Sequence, residues 1–103
     1  MRNAEGVHVC ALSIDLHIPA SGSLKSKRMV IRPILDGARV RFHVAAAEVA
    51  FQEQWQRSRL GFAAVACAPG QVGEVLDKLE RFVWSHPEID VISADRQWLD
   101  TDE

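Results

Sequence analysis

Residues 7–18 read VHVCALSIDLHI, and apolar side chains recur at alternate positions along the stretch. In an extended chain these positions share one face: Cys10, Leu12, Ile14, Leu16 and Ile18. This alternation predicts a strand with one buried face. Residues 19–22 read PASG and predict that the strand ends in a turn.

A helix is predicted over residues 24–41. Ser23 precedes it, and a serine hydroxyl readily accepts a hydrogen bond from the first helical turn. The apolar positions share one helical face: Ile31, Ile34, Leu35, Ala38 and Phe42. Pro33 predicts a kink near residues 29–33, and Gly37 is expected to weaken the helix by about 1 kcal/mol relative to alanine.

Two strands are predicted in the middle of the chain. Residues 43–51 are rich in alanine and valine, and their alternation slips at residues 46–48, which is typical of a β-bulge. The polar residues 52–57 predict a loop. Residues 59–67 are apolar enough to be buried on both faces, as in a central strand.

The clearest helical pattern follows the break at residues 68–70. Its apolar residues recur with helical periodicity: Val72, Val75, Leu76, Leu79, Phe82 and Val83. Residues 86–87 read HP and end this helix. Residues 89–95 then predict a short strand, and residues 97–103 a frayed acidic tail.

The predicted order is therefore β-α-β-β-α-β. Right-handed crossovers interleave the two βαβ halves in a single sheet. We therefore expect one α+β domain over residues 1–103, with its core within residues 7–96. Its fold is predicted to be ferredoxin-like, a βαββαβ sandwich of two helices on one face of a four-stranded antiparallel sheet.

The composition is that of a globular protein, with 48% hydrophobic and 25% charged residues over 103 positions. No apolar run approaches the ~20 residues that cross a bilayer, and residues 1–6 lack the features of a signal peptide. We therefore expect a cytoplasmic protein without membrane contact. Cys10 and Cys67 are both predicted to be small buried residues in a reducing compartment. The scattered histidines predict no metal site, and no cofactor is expected.

Charge is distributed unevenly along the chain. Residues 1–59 hold nine Lys/Arg against five Asp/Glu, whereas residues 60–103 hold three against nine. A basic half attracts phosphates, and an acidic half limits indiscriminate binding of nucleic acid.

Several short segments are characteristic as an ordered set: DLHIP at residues 15–19, SLKSKR at 23–28, EV at 48–49, WQR at 55–57, LG at 60–61 and SHPE at 85–88. Together they resemble the YlxP-like family of bacterial proteins of unknown function, over residues 7–95. The resemblance implies a ferredoxin-like fold and a gene among translation genes, commonly beside that of ribosome-binding factor A. It implies no established activity. Pro33, Gly37 and the Trp-bearing acidic tail depart from the commonest pattern of the family.

Four cations crowd the first two turns of the first predicted helix: Lys25, Lys27, Arg28 and Arg32. Positive side chains are unfavourable there, because free N–H groups and the helix dipole already make a helix N-terminus positive. An incoming phosphate or RNA backbone would account for the cluster. The alternative is a solvated basic face whose long stems cover apolar surface.

Trp55 and Arg57 lie in the predicted loop between the middle strands. An exposed Trp stacks on nucleotide bases, and a neighbouring Arg reaches phosphates. Two other interpretations stay open for Trp55: an anchor for a partner protein, or packing over a sheet edge.

The sheet face away from the helices is predicted to be apolar, with Val7, Val9, Ala11, Phe62 and Ala64 on it. It lacks the several displayed aromatics that an RNA-recognition motif uses. An apolar face of this kind favours a homodimer or another polypeptide partner.

Asp15 and His17 form a candidate acid–base pair at the end of the first strand. No second carboxylate or nucleophile accompanies them, so no catalytic residue is predicted. The sequence instead predicts a non-enzymatic accessory factor that contacts ribosomal RNA or a ribosomal subunit. Its predicted contacts are Lys25, Lys27, Arg28, Arg32, Trp55 and Arg57. The alternative is a homodimeric protein-interaction module that uses the apolar sheet face.

Overall fold

The computed structural model describes residues 6–99, in which six elements follow the predicted order. They are β1 (His8–His17), α1 (Leu24–Phe42), β2 (Ala45–Ala50), β3 (Arg57–Ala66), α2 (Pro69–Trp84) and β4 (Asp90–Trp98). The strands pair antiparallel in the order β2-β3-β1-β4. The predicted ferredoxin-like fold is confirmed.

Both helices cover the same face of the sheet and enclose one core. The alternation predicted for β1 is confirmed, because Leu12, Ile14 and Leu16 are buried and the residues between them are not. The helices add their apolar stripes: Ile31, Ile34, Leu35 and Ala38 from α1, and Val72, Leu76, Leu79 and Val83 from α2. Each large side chain buried in this way contributes about 1.5–3 kcal/mol.

The side chains of β3 alternate one residue out of phase with the prediction. Phe62 lies opposite Leu12 of β1, so Phe62 and Ala64 point into the core. Gly61 and Ala63 lie on the face without helices, called here the open face, and are only half-buried. The position of β3 as a central strand is confirmed, but its burial on both faces, and the placement of Phe62 and Ala64 on the open face, are wrong.

Two predictions at strand ends also need correction. Cys67 is exposed and lies one residue beyond β3, whereas Cys10 is buried, and burial raises the pKa of the Cys10 thiol. β4 runs to Trp98, so residues 97 and 98 belong to the sheet rather than to a tail. The Leu99 N–H also donates to the Val9 carbonyl at 2.9 Å. Residues 100–103 of the predicted tail lie outside the described residues.

The register of β2 against β3 shifts between Glu48 and Ala50, close to the bulge predicted at residues 46–48. Glu48 stays opposite Leu60, whose side chain is buried, and Val49 is the extra residue. The bulge therefore occurs just after a carboxylate that faces the helices.

α1 continues through Pro33 as one helix of 19 residues. Gly37 marks its close approach to α2, because a Cβ added there would lie 2.5 Å from Cζ of Phe82. The Phe82 ring packs in turn on Phe42, with ring centroids 5.4 Å apart. Gly37 therefore makes room for an aromatic contact between the helices. Within residues 6–99, neither helix has the length and hydropathy needed to cross a membrane.

We expect Gly37→Ala to lower the free energy of unfolding by about 1 kcal/mol, because the added methyl group displaces the Phe82 ring. Gly73→Ala in α2 is the matched control, since a Cβ there meets no atom within 4 Å. It should raise the free energy of unfolding by about 0.5–1 kcal/mol through helix propensity alone. Urea unfolding followed by circular dichroism measures both, and equal stabilisation by the two would contradict the close contact.

Candidate functional site

The start of α1 is closed by its own hydroxyl groups, as the predicted cap at Ser23 requires. The Ser26 N–H donates to Ser23 Oγ at 3.0 Å, and Ser26 Oγ accepts from the Ser23 N–H at 3.1 Å. The Gly22 N–H donates to the same oxygen at 3.1 Å. These hydroxyl oxygens already accept from backbone N–H groups at the N-terminus of α1. An anion at this end would therefore be recognised by side chains rather than by the backbone of the cap.

Lys27, predicted to lie on the exposed basic cluster, is buried, with 1% of its surface exposed. Its ammonium group lies 2.8 Å from Glu48 Oε2. The group also donates to the backbone carbonyls of Phe51, Gln52 and Arg57 at 2.9, 3.3 and 3.2 Å. Lys27 is therefore neutralised and hydrogen-bonded inside the fold, which corrects its predicted place among the RNA contacts.

Glu48 is held in turn by a second donor. The Ser58 hydroxyl, itself buried, donates to Glu48 Oε2 at 2.7 Å. A buried charge is tolerated when it is paired and its remaining sites are hydrogen-bonded. Lys27, Glu48 and Ser58 together meet that condition.

The other three cations of the predicted cluster are exposed on α1. Lys25, Arg28 and Arg32 are spaced by three and four residues and therefore share one side of the helix, called here the basic face. Within residues 6–99, none of the three has a carboxylate within 4.0 Å. Asp36, farther along the helix, pairs with Arg39 at 2.9 Å.

Apolar surface accompanies these charges. Met29 is 71% exposed, and together with Pro33, Asp36 and the three cations it lines a shallow groove on the outside of α1. The basic face thus combines apolar area with positive charge that exceeds the single negative charge of Asp36, and macromolecular contacts use this combination.

Residues 51–56, called here the Trp55 loop, connect β2 to β3. Trp55 is 56% exposed, which disfavours the packing interpretation. The loop backbone is nonetheless fixed, because the Ile18 N–H donates to the Gln56 carbonyl at 2.9 Å. The Gln56 side-chain amide donates to the carbonyls of Pro19 and Ser21, each at 3.2 Å. A well-anchored loop therefore carries an exposed aromatic residue, and its anchors lie in the turn before α1.

Arg57, predicted to contact RNA together with Trp55, has partners within the fold. Its guanidinium lies 4.5 Å from the centroid of the Phe51 ring and 3.8 Å from Asp15. Arg59 reaches the same carboxylate with two donors, at 2.5 and 3.2 Å. The hydrogen bond from Arg59 holds the pKa of Asp15 below its usual value. Arg57 therefore takes part in an ion cluster at the end of the sheet.

Asp15 and His17, the candidate acid–base pair, have different charged partners. Asp15 binds the two arginines, while His17 Nδ1 lies 3.6 Å from Asp90. The structure thus joins each residue of the candidate acid–base pair to a different partner.

The centre of the open face is apolar, as predicted, but its residues differ from the predicted set, and Ser13, Asp95 and Gln97 lie at its border. Small side chains form its centre, where they line a trough: Ala11, Ala45, Ala47, Gly61 and Ala63. Val65, which is 65% exposed, takes the place predicted for Ala64.

Comparison with known proteins matches residues 9–96 to the model of a family described as "Protein of unknown function (DUF503)". The uncharacterized protein YlxP of Bacillus subtilis (strain 168) is 36% identical over 79 residues, which cover 77% of this chain and 86% of that protein. The chain belongs to the DUF503 family. The resemblance to YlxP-like proteins predicted from short segments is confirmed.

The DUF503 match begins in β1 and ends in β4, so it includes the four elements between them and most of both strands. The basic face, the Trp55 loop and Lys27 all lie within it. The features described above therefore belong to the DUF503 domain itself.

We expect Lys27→Met to lower the free energy of unfolding by about 2–4 kcal/mol, because it leaves Glu48 without its cation and removes a donor from three carbonyls. Lys25→Met is the same substitution on the exposed side of the helix, and it should change the free energy of unfolding by less than about 0.5 kcal/mol. Urea titrations of both variants measure the difference. Equally small effects would contradict a structural role for the buried ammonium.

Proposed function

We propose that this DUF503 protein is a non-enzymatic accessory factor of the cytoplasm that contacts structured RNA, most directly the RNA of a ribosomal subunit. The observation that carries the proposal is the basic face. Lys25, Arg28 and Arg32 are exposed, lie on one side of α1, and have no carboxylate within 4.0 Å among residues 6–99. The three positive side chains repel one another, and a bound anion would reduce this repulsion.

The spacing of the basic face suits a polyanion. An α-helix rises 1.5 Å per residue, so Lys25 and Arg32 lie about 10 Å apart along the axis. Three cations over this length reach successive phosphates of one strand. They recognise RNA by its backbone, which fixes position without reading sequence.

Trp55 adds a contact that a basic face alone lacks. An exposed indole stacks on an unpaired base, and stacking of this kind contributes about 1–3 kcal/mol per base. Proteins that recognise RNA commonly bind loops and bulges, where bases are unstacked and accessible. Trp55 therefore favours RNA with unpaired nucleotides over a continuous duplex.

Two further observations support this assignment. Asp15 and His17 are occupied by Arg59 and Asp90, which favours a binding role over catalysis. The translation-gene setting implied by the YlxP-like resemblance favours ribosomal RNA as the partner.

We expect Lys25→Glu with Arg28→Glu to abolish salt-sensitive cosedimentation with ribosomal subunits. Three phosphate contacts give a slope of about −2.1 to −2.7 for log affinity against log salt, or a loss of about 20- to 40-fold between about 50 and about 200 mM salt. The matched control is Lys78→Glu with Arg81→Glu, because these exposed residues of α2 have the same spacing and the same change of charge.

The control should bind as the unaltered protein does. Equal loss in both double variants would mean that net charge, rather than the basic face, governs binding. No cosedimentation of the unaltered protein at low salt would contradict the proposal.

A second candidate function is homodimerisation through the open face. Apolar side chains occupy its centre, with exposed Val49 and Val65 beside the trough of small residues. Strands about 4.8 Å apart and up to 10 residues long make a sheet about 19 Å wide and about 33 Å long. Two such faces would bury roughly 1,200 Å² in total, which is the lower limit of stable interfaces, so we propose a weak dimer.

We expect Ala11→Arg to abolish this dimer, because it places a charge in the centre of the trough. Ala20→Arg, in the exposed turn after β1, is the control. Analytical ultracentrifugation over a range of concentrations tests both variants. A monomer at every concentration of the unaltered protein would exclude the dimer.

A further inference from the structure

We propose that buried Lys27 holds the Trp55 loop against the start of α1, so that Trp55 and the basic face form one RNA-binding surface. This inference rests on the proposed function and assigns Lys27 as a positioning residue. The ligand class that fits the surface is RNA in which an unpaired base lies next to a run of phosphates.

The Lys27 ammonium group binds the backbone at both ends of the Trp55 loop. Lys27 Nζ donates to Phe51 and Gln52 where the loop begins and to Arg57 where it ends. One group therefore closes the loop from inside. The Gln54 N–H, which donates to the Phe51 carbonyl at 3.0 Å, adds a turn within it.

Gln56 attaches the other side of the Trp55 loop to the turn between β1 and α1. Gln56 binds the carbonyls of Pro19 and Ser21, in the turn that leads into α1. Trp55 is the residue before Gln56, so these bonds fix its backbone near the first turn of the helix. Lys27 and Gln56 thus hold the loop between the inside of the fold and the β1–α1 turn.

Lys27 and Lys25 contribute differently to the binding surface. The charge of Lys27 is balanced by Glu48 at 2.8 Å and is enclosed, so it adds little to the field outside. Lys25, two residues earlier, is exposed and supplies charge. Ordering the loop before RNA arrives removes an entropic cost that a mobile Trp would meet on binding.

The experiment compares Lys27→Met with Lys25→Met by fluorescence anisotropy. The probes are a labelled RNA hairpin with an unpaired loop and a blunt duplex of the same stem, each titrated at several salt concentrations. Lys27→Met should weaken hairpin binding about tenfold with the salt slope unchanged, because the stacking contact is lost. Its effect on the duplex should be small. Lys25→Met should instead reduce the slope by about 1 for both probes.

Hydrogen exchange provides a readout without RNA. The amides of residues 51–57 should exchange faster in Lys27→Met than in Lys25→Met, since only the former removes the internal anchor. Gln56→Ala is a second variant that loosens the loop without changing any charge. It should reproduce the faster exchange and the weaker hairpin binding even where Lys27→Met folds poorly.

The outcomes are distinguishable. Faster loop exchange with unaltered hairpin affinity, or unaltered exchange in Lys27→Met and Gln56→Ala, overturns the inference while the proposed function stands. A salt slope reduced by Lys27→Met as much as by Lys25→Met overturns it as well. No binding of either probe by the unaltered protein removes the proposed function, and the RNA part of the inference with it.

Discussion

The buried ammonium group of Lys27 joins parts of the fold that lie far apart in the chain. It connects α1 to Glu48 of β2 and to backbone carbonyls on both sides of the Trp55 loop. Taking such a charge out of water costs several kcal/mol unless a counter-ion and hydrogen bonds replace the solvent. This requirement fixes the geometry around Lys27, because a shift of α1 or of the loop would leave a charge or a carbonyl unpaired.

The division of α1 into two sides follows from the same constraint. Successive residues turn by about 100° in an α-helix, so residues two apart point in nearly opposite directions. Lys27 points into the fold, and Lys25 accordingly points to solvent. The excess of positive charge in the first half of the sequence therefore lies on the exposed side of α1. α1 carries six Lys/Arg and one Asp, whereas the neighbouring α2 carries two Lys/Arg and three Asp/Glu.

Much of the fold could be predicted because its elements have strong periodic patterns. The alternation in β1 and the apolar stripe of α2 depend only on local geometry, and both are confirmed in the core. The phase of β3 could not be predicted in this way. Its Gly and Ala residues fit either face, and only the pairing of Phe62 with Leu12 decides which side is buried.

The candidate site was predictable only in part. The exposed cations follow from helix periodicity, but Lys27 was grouped with them because lysine is almost never buried without a partner. One signal was present in the sequence: the apolar stripe through Ile31 and Ile34, extended back by one turn, passes through Lys27. Its partner Glu48 could not be recognised without the register of β2, which depends on pairing with a distant strand.

The central claim is that the Lys27 ammonium group is enclosed and hydrogen-bonded. The chain has three lysines, and Lys25 and Lys78 are both exposed. Nitrogen-15 NMR of the lysine side chains at neutral pH measures how quickly each ammonium group exchanges its protons with water. We predict one slowly exchanging signal, assigned to Lys27, and rapid exchange for the other two. Exchange of Lys27 as fast as that of Lys25 would contradict the account.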